Sequence, residues 1–131
     1  MPLAENEWGE IVDHSGVLEL RWHASTAMTD GGFMATLCLF ASEAERRRPR
    51  GLLIDATNFN HAFGPGIMQW RDAHIIPRYG ASGARRFAFV MPPGFPNAGR
   101  ETTEGNAVFP TRWFVDRDQA LAWLLGHDHP Q

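Results

Sequence analysis

Apolar and polar positions along the chain change period several times, and each change marks an element. Trp8 to His14 and Val17 to His23 flank Ser15-Gly16. In the second run Leu18, Leu20 and Trp22 fall on one face and Glu19 and Arg21 on the other, which predicts a β-hairpin. The spacing then lengthens. Phe33, Met34, Leu37, Phe40, Ala41 and Ala44 predict an amphipathic helix within Met28–Arg48, capped by Thr29 or Asp30 and ended by Pro49. Glu43, Glu45 and Arg46 to Arg48 would form its wet end. Leu52 to Ala56 is a short apolar run bounded by Gly51 and Thr57-Asn58, the pattern of a buried central strand. Pro65 opens a second helix running to about Tyr79, with Ile67, Trp70, Ala73 and His74 or Ile75 on its apolar face. Pro77 should kink that helix or end it early.

Arg86 to Met91 predicts another buried strand. Pro92 to Pro110 is a long Gly/Pro-rich loop, broken by a short helix around Arg100–Ala107; loops of that length are often functional. Arg112 to Val115 is the last strand, and Asp116 to Gln119 caps a final helix that buries Ala120, Leu121, Trp123 and Leu124 and stops at Gly126. Residues 1–7 and 127–131 read as tails of one domain spanning 1–131. Strands alternating with helices predict an α/β fold: a four- to five-stranded mixed, mostly parallel sheet with an N-terminal antiparallel hairpin and helices packed on it.

Composition narrows the chemistry. The chain of 131 residues suits one core, and its net charge of −3 argues against nucleic acid as a partner. All basic residues are arginine, which removes lysine nucleophiles and the phosphate-loop lysine. The single cysteine, Cys38, permits neither an internal disulfide nor a cysteine zinc cage. No apolar run is long enough for integral membrane association, and the acidic start lacks a signal-like apolar region, so a cytoplasmic location is expected.

The chain resembles the SpoIIAA-like family of small bacterial domains (STAS/SEC14-like) in four stretches. These are Arg50 to Ala56, Gln69-Trp70 with Ile76-Pro77, Arg86 to Val90, and Trp113-Phe114 with Asp118 to Leu124. The resemblance implies a mixed sheet and a non-enzymatic role, in protein–protein signalling or in binding a lipophilic small molecule. Anti-sigma-factor antagonists carry a phosphorylated Ser or Thr in an Asp-Ser-Ser-Gly-like turn. Here Asp55 to His61 has no such turn, and Thr57 is the only hydroxyl nearby.

Ligands of open α/β sheets gather outside the carboxyl ends of the strands. That rule selects Asp55, Asn58, His61, Phe63, Trp70 and Phe95 as candidate ligand-binding residues, mixing polar groups with apolar walls. Asp55 and Asn58 have an alternative use in bonding loop backbone. His61 and His74, or His127-Asp128-His129, assemble no complete ligand set, so neither a metal nor a cofactor is expected. Cys38 lies among Leu37, Leu39 and Phe40, a structural setting, and no nucleophile elbow occurs, so no catalytic residue is assigned.

Trp70 and Trp113 are expected to line a hydrophobic groove or a dimer interface. Three functions remain open: a binding domain for a small apolar or lipid-like ligand; a protein-interaction module working through a flat exposed surface, possible as a homodimer; or a small hydrolase or isomerase using Asp55 and His61.

Overall fold

The computed structural model describes residues 2–25, 27–94 and 109–126, with the backbone of 101–102. Phe95 and the 127–131 tail lie outside the described residues, as does most of the helix predicted at 100–107.

The hairpin forms as the alternation dictates. Strand β2 (Gly9–His14) pairs with β3 (Val17–Trp22) from Gly9↔Trp22 to His14↔Val17. Ser15 and Gly16 both have positive φ, 56° and 91°, the combination that matches strand twist in a two-residue hairpin. The first residues are not a tail. Ala4–Glu5 forms β1, which pairs antiparallel with β2, and the Leu3 N–H donates to the Ile11 carbonyl at 2.7 Å. This short strand covers an edge of β2 that would otherwise expose its backbone groups.

The remaining elements are α1 (Asp30–Arg47), β4 (Gly51–Asp55), a second helical segment, β5 (Phe87–Val90), β6 (Glu101–Thr102), β7 (Thr111–Phe114) and α4 (Arg117–Leu124). The sheet order is β1-β2-β3-β4-β5-β7-β6, with β3, β4, β5 and β7 parallel. The sheet therefore has seven strands rather than four or five, because the two-residue strands β1 and β6 extend the edges. In the parallel part, strand order follows chain order, so the sheet has no reversal point of the kind that opens a ligand crevice in doubly wound folds.

Both faces of the sheet are buried. Leu18, Leu20, Trp22, Leu52, Ile54 and Phe87 pack under α1 and the second helical segment, while Val17, Leu53, Ala88, Val90 and Phe114 pack under α4. Thr29 caps α1, its side chain accepting from the Gly32 N–H at 2.9 Å. Glu43, expected at the wet end, is largely buried and takes bonds from Arg46 and Arg47.

Pro77 does not stop the second helical segment. It runs through α2 (Ile67–Trp70), a π-helical turn (Arg71–Ile75) and α3 (Ile76–Ala81). The Ile76 N–H bonds to the Arg71 carbonyl, five residues back, and Pro77 enters in the first turn of α3, where its missing N–H costs least. The wider turn shifts the helical phase. Of the alternatives His74 or Ile75 for the apolar face, Ile75 is the buried one, with Ile76 and Tyr79, whereas Ala73, also assigned there by an unbroken period, and His74 are exposed.

Glu19 keeps to the alternation but not to the exposure expected of a polar position. It lies on the α4 face yet is fully buried. Arg117, the first residue of α4, reaches both of its carboxylate oxygens, with Nε–Oε2 at 3.1 Å. Arg21 adds a bond at 3.2 Å, and His14 Nε2 lies 2.6 Å away. Burial would raise the Glu19 pKa, but the hydrogen bonds and charges of Arg117 and Arg21 outweigh it and hold the carboxyl below its ordinary value. The ion cluster therefore stabilises the fold above the ordinary carboxyl range. That contribution is lost as pH falls through the folded-state pKa, below 4.5.

Denaturant unfolding from pH 7 to pH 3 should show wild-type stability dropping steeply below about pH 4.5. Arg117→Ala should begin about 2 kcal/mol less stable at neutral pH, because it strips a buried carboxylate of its two-pronged partner, and should show a shallower acid loss.

Candidate functional site

Between the sheet and the second helical segment lies an apolar cavity of about 270 Å³. Its floor is the sheet face. Ile54 and Ala56 come from β4 and its end, Phe87, Phe89 and Met91 from β5 and its end, and Trp113 from β7. Phe87 and Phe89 stack along β5 at 4.8 Å between centroids and 19° between planes, and Phe89 stacks on Trp113 of the neighbouring β7 at 5.9 Å and 11°.

One wall is built from Trp22 at the end of β3, with Phe33 and Leu37 of α1. Phe59 and Phe63 of the loop after β4 complete it. Phe33 contacts Phe63 at 4.6 Å between centroids, and Trp22 contacts Phe59 at 4.9 Å. The opposite wall is Met68, Arg71, Ile76 and Tyr79. The Arg71 guanidinium is bonded to Asp72 at 2.9 Å.

Tyr79 differs from its neighbours. It is the only tyrosine of the chain, it is buried, and its ring packs edgewise on Phe40 and Phe87. Its hydroxyl has no hydrogen-bond partner among the described residues. Burial pushes its pKa far upward, so the group stays a neutral O–H donor.

The loop from Thr57 to Gly64 is held to the start of α1 by a single carboxylate. Asp30 Oδ1 lies 2.7 Å from His61 Nε2, and Asp30 Oδ2 accepts from the Gly64 N–H at 3.2 Å. Gly64 approaches so closely that a Cβ there would sit 2.6 Å from that oxygen. Because Thr29 supplies the cap, the Asp30 carboxylate is available to the loop, and its position in the first turn of α1 suits its charge.

The six candidate residues separate. Phe63 lines the cavity. His61 anchors the loop through Asp30 and meets Phe63 edge-on, at 5.2 Å between ring centroids. Trp70 packs against the core beside His74 but is not part of the lining, where Met68 and Arg71, three residues apart on one helix face, stand instead. Asp55 follows Ile54 in an extended strand, so it projects to the opposite face of the sheet. There its Oδ1 accepts from the Thr57 N–H at 3.0 Å and its Oδ2 lies 4.0 Å from Arg117 Nε. Asn58 borders a separate shallow depression with Ala24, Ser25 and Asn60. Phe95 lies outside the described residues. No hydrogen bond or ion pair joins Asp55 to His61 among the described residues.

Trp113, proposed from the sequence for a groove or an interface, lies on the cavity floor. The half-buried Cys38 packs against the core. Sequence reasoning missed Asp30 as an anchor and Tyr79 as a lining residue. For Tyr79 the available signal was a lone phenol at an apolar helical position, where phenylalanine would fill the same space.

Elsewhere, Glu5, Glu10 and His23 bring potential ligand atoms within 4.8 Å of one another, but Arg21 already pairs with Glu10 at 3.0 Å. No helix among the described residues is long and apolar enough to cross a membrane.

Asp30→Ala should release the loop from α1. Hydrogen exchange at residues 57–64 should quicken several-fold while the sheet stays protected, with a global loss of about 1 kcal/mol. Unchanged exchange in this loop would show that the aromatic contacts alone hold it.

Comparisons with protein-family models, with curated proteins and with solved structures found no match.

Proposed function

We propose that the domain is a non-enzymatic binder of a small apolar ligand, held in the cavity between the sheet and the second helical segment. The observation that carries this reading is the aromatic-walled cavity itself, bounded by the sheet, α1, the loop after β4 and the second helical segment. Its lining is mostly aromatic and aliphatic, with Arg71 as its one charged residue, the composition of a small-molecule pocket. The volume lies just below the ~300–1,000 Å³ of pockets for drug-sized ligands. That favours a compact ring body over a long lipid tail. The sequence resemblance to SpoIIAA-like domains, with their lipophilic-ligand branch, points the same way.

The geometry lends the enzymatic alternative no support, because Asp55 accepts from the Thr57 N–H while His61 is bonded to Asp30 of α1. The protein-interaction alternative wants a broad exposed apolar patch. The exposed large apolar residues among those described are Phe63 and Val115, and Phe63 already belongs to the cavity.

Mass spectrometry of the freshly purified protein tests the proposal. An extra mass retained under native conditions and released on denaturation is expected. Ala56→Leu, which adds bulk at the cavity floor, should abolish that retained mass while keeping or raising the melting temperature. A homodimer or a co-purified protein without any small molecule would instead favour the interaction module.

A further inference from the structure

Positive charge gathers at one end of the sheet, although the chain as a whole carries −3. Arg48, Arg50, Arg85 and Arg86 line an open depression of about 450 Å³ with Gly83 and Gly126. Arg50 immediately precedes β4, and Arg85 and Arg86 precede β5. No acidic side chain is among the described residues that line it. Arginines elsewhere are paired, Arg46 and Arg47 with Glu43, Arg78 with Glu45 and Arg117 with Glu19. Here Arg48 donates to the Ala81 carbonyl at 3.2 Å and Arg50 to the Leu125 carbonyl at 3.4 Å. Arg86 lies over the Trp123 ring, 4.9 Å from its centre. Arg85 is exposed, and its guanidinium has no hydrogen bond or ion pair among the described residues. One use for these groups is to compensate helix ends, since Arg48 follows α1, Ala81 closes α3 and Leu125 follows α4. A helix C-terminus carries only about half a negative charge, so three ends offset fewer than two of the four guanidinium charges. Arg48 also has φ of 53°, the left-handed conformation in which helices commonly place glycine. Glycine would end α1 there without the backbone cost of an arginine.

We infer that this depression is a second binding site, separate from the apolar cavity, that takes the terminal phosphate of a phosphate monoester on Arg48, Arg50 and Arg85. Each guanidinium has five N–H donors in a planar fork, and the carbonyl bonds of Arg48 and Arg50 use one each. The fork matches phosphate oxygens and bonds them with charge assistance. Three forks from separate chain segments suit the oxygens of a tetrahedral dianion better than the single plane of a carboxylate. The backbone beneath them is fixed. The Arg50 N–H donates to the Gly16 carbonyl at 2.8 Å, and the Arg85 N–H to the Arg50 carbonyl at 3.0 Å. The Arg48 guanidinium lies over Gly83, with Nη2 3.6 Å from where a Cβ would stand. The open side of the depression leaves room for the group that bears the phosphate.

Inorganic phosphate is titrated into the full chain at constant ionic strength, so that screening stays equal, and amide shifts of Gly83, Arg85 and Gly126 are followed in two-dimensional NMR spectra. Saturable shifts with millimolar or tighter affinity are expected. Acetate, planar and singly charged, should bind at least about five-fold more weakly, since it can use fewer charge-assisted bonds. Arg50→Gln and Arg85→Gln alter exposed side chains, so the fold should persist, and each should weaken phosphate about ten-fold. Arg46→Gln removes the same charge from an exposed residue outside the depression, whose partner Glu43 keeps Arg47, and should leave the affinity unchanged. Absence of saturable shifts overturns the site. So does an equal loss in Arg46→Gln, which would mark a diffuse field, and equal binding of acetate overturns the choice of phosphate. Phosphatidylcholine vesicles with and without phosphatidic acid then separate two sources of the same group. Sedimentation that requires phosphatidic acid and is lost in Arg50→Gln supports the site with a lipid headgroup as its ligand. Phosphate binding without sedimentation supports it with a soluble phosphate ester.

Discussion

A parallel sheet must be covered on both faces, and here the cover is scant. Strands β3, β4, β5 and β7 bury side chains in both directions, as parallel strands generally do. One face receives α1 and the segment α2–α3, and the other receives only α4, with eight residues. The notable local features arise from that shortage. On the α4 side the helix packs mainly on β4, β5 and β7, and it meets β3 through Val17 and through the Arg117–Glu19 pair at its first residue. The space beside β3 is filled by Glu19 and the guanidinium of Arg117, a polar plug where a longer helix would have placed apolar side chains. On the other side the segment α2–α3 leaves a cavity between itself and the sheet.

The π-turn connects sequence to site most directly. A proline inside a helix removes a donor and crowds the preceding turn. Widening that turn accommodates Pro77 and rotates α3 relative to α2. The consequence reaches the pocket. Met68 and Arg71 lie at one wall and Ile76 and Tyr79 deeper in the same wall, while Trp70 and His74 fall outside it. Turns of this kind occur frequently at functional sites, and here the reason is mechanical, since the altered phase decides which side chains line the cavity.

Much of the fold was legible because hydrophobic period is a local property. Leu52 to Ile54, Phe87 to Val90 and the hairpin around Ser15-Gly16 are read correctly from their own neighbours. What escaped depends on partners far along the chain. Glu19 obeys the strand alternation perfectly, yet it is buried because Arg117 arrives from the other end of the chain to meet it. Asp55 comes directly after the buried Ile54, and only its face of the strand, not its distance from the strand end, decides that it turns away from the cavity. Asp30 read as a possible cap because the bonds it makes, to His61 and Gly64, cross a separation no local pattern contains. The extra strands at the edges are two residues long, too short for any period to register.

The cavity and the unpaired Tyr79 hydroxyl are two separate departures from good packing. An unfilled apolar volume forfeits dispersion contacts along its lining. A buried hydroxyl without a partner costs about 1–3 kcal/mol. Domain stabilities are typically ~5–15 kcal/mol, so these costs are a substantial fraction, and either could be removed by a single common substitution, leucine at 56 or phenylalanine at 79. Elsewhere among the described residues the chain is economical: no other buried side-chain polar atom lacks a hydrogen-bond partner. The cost of the cavity is one that an occupant relieves, and a ligand that fills it stabilises only the folded chain. The walls fit this reading. The aromatic loop is fastened at its far end by Asp30 rather than collapsed inward, so Phe59 and Phe63 border the space without filling it.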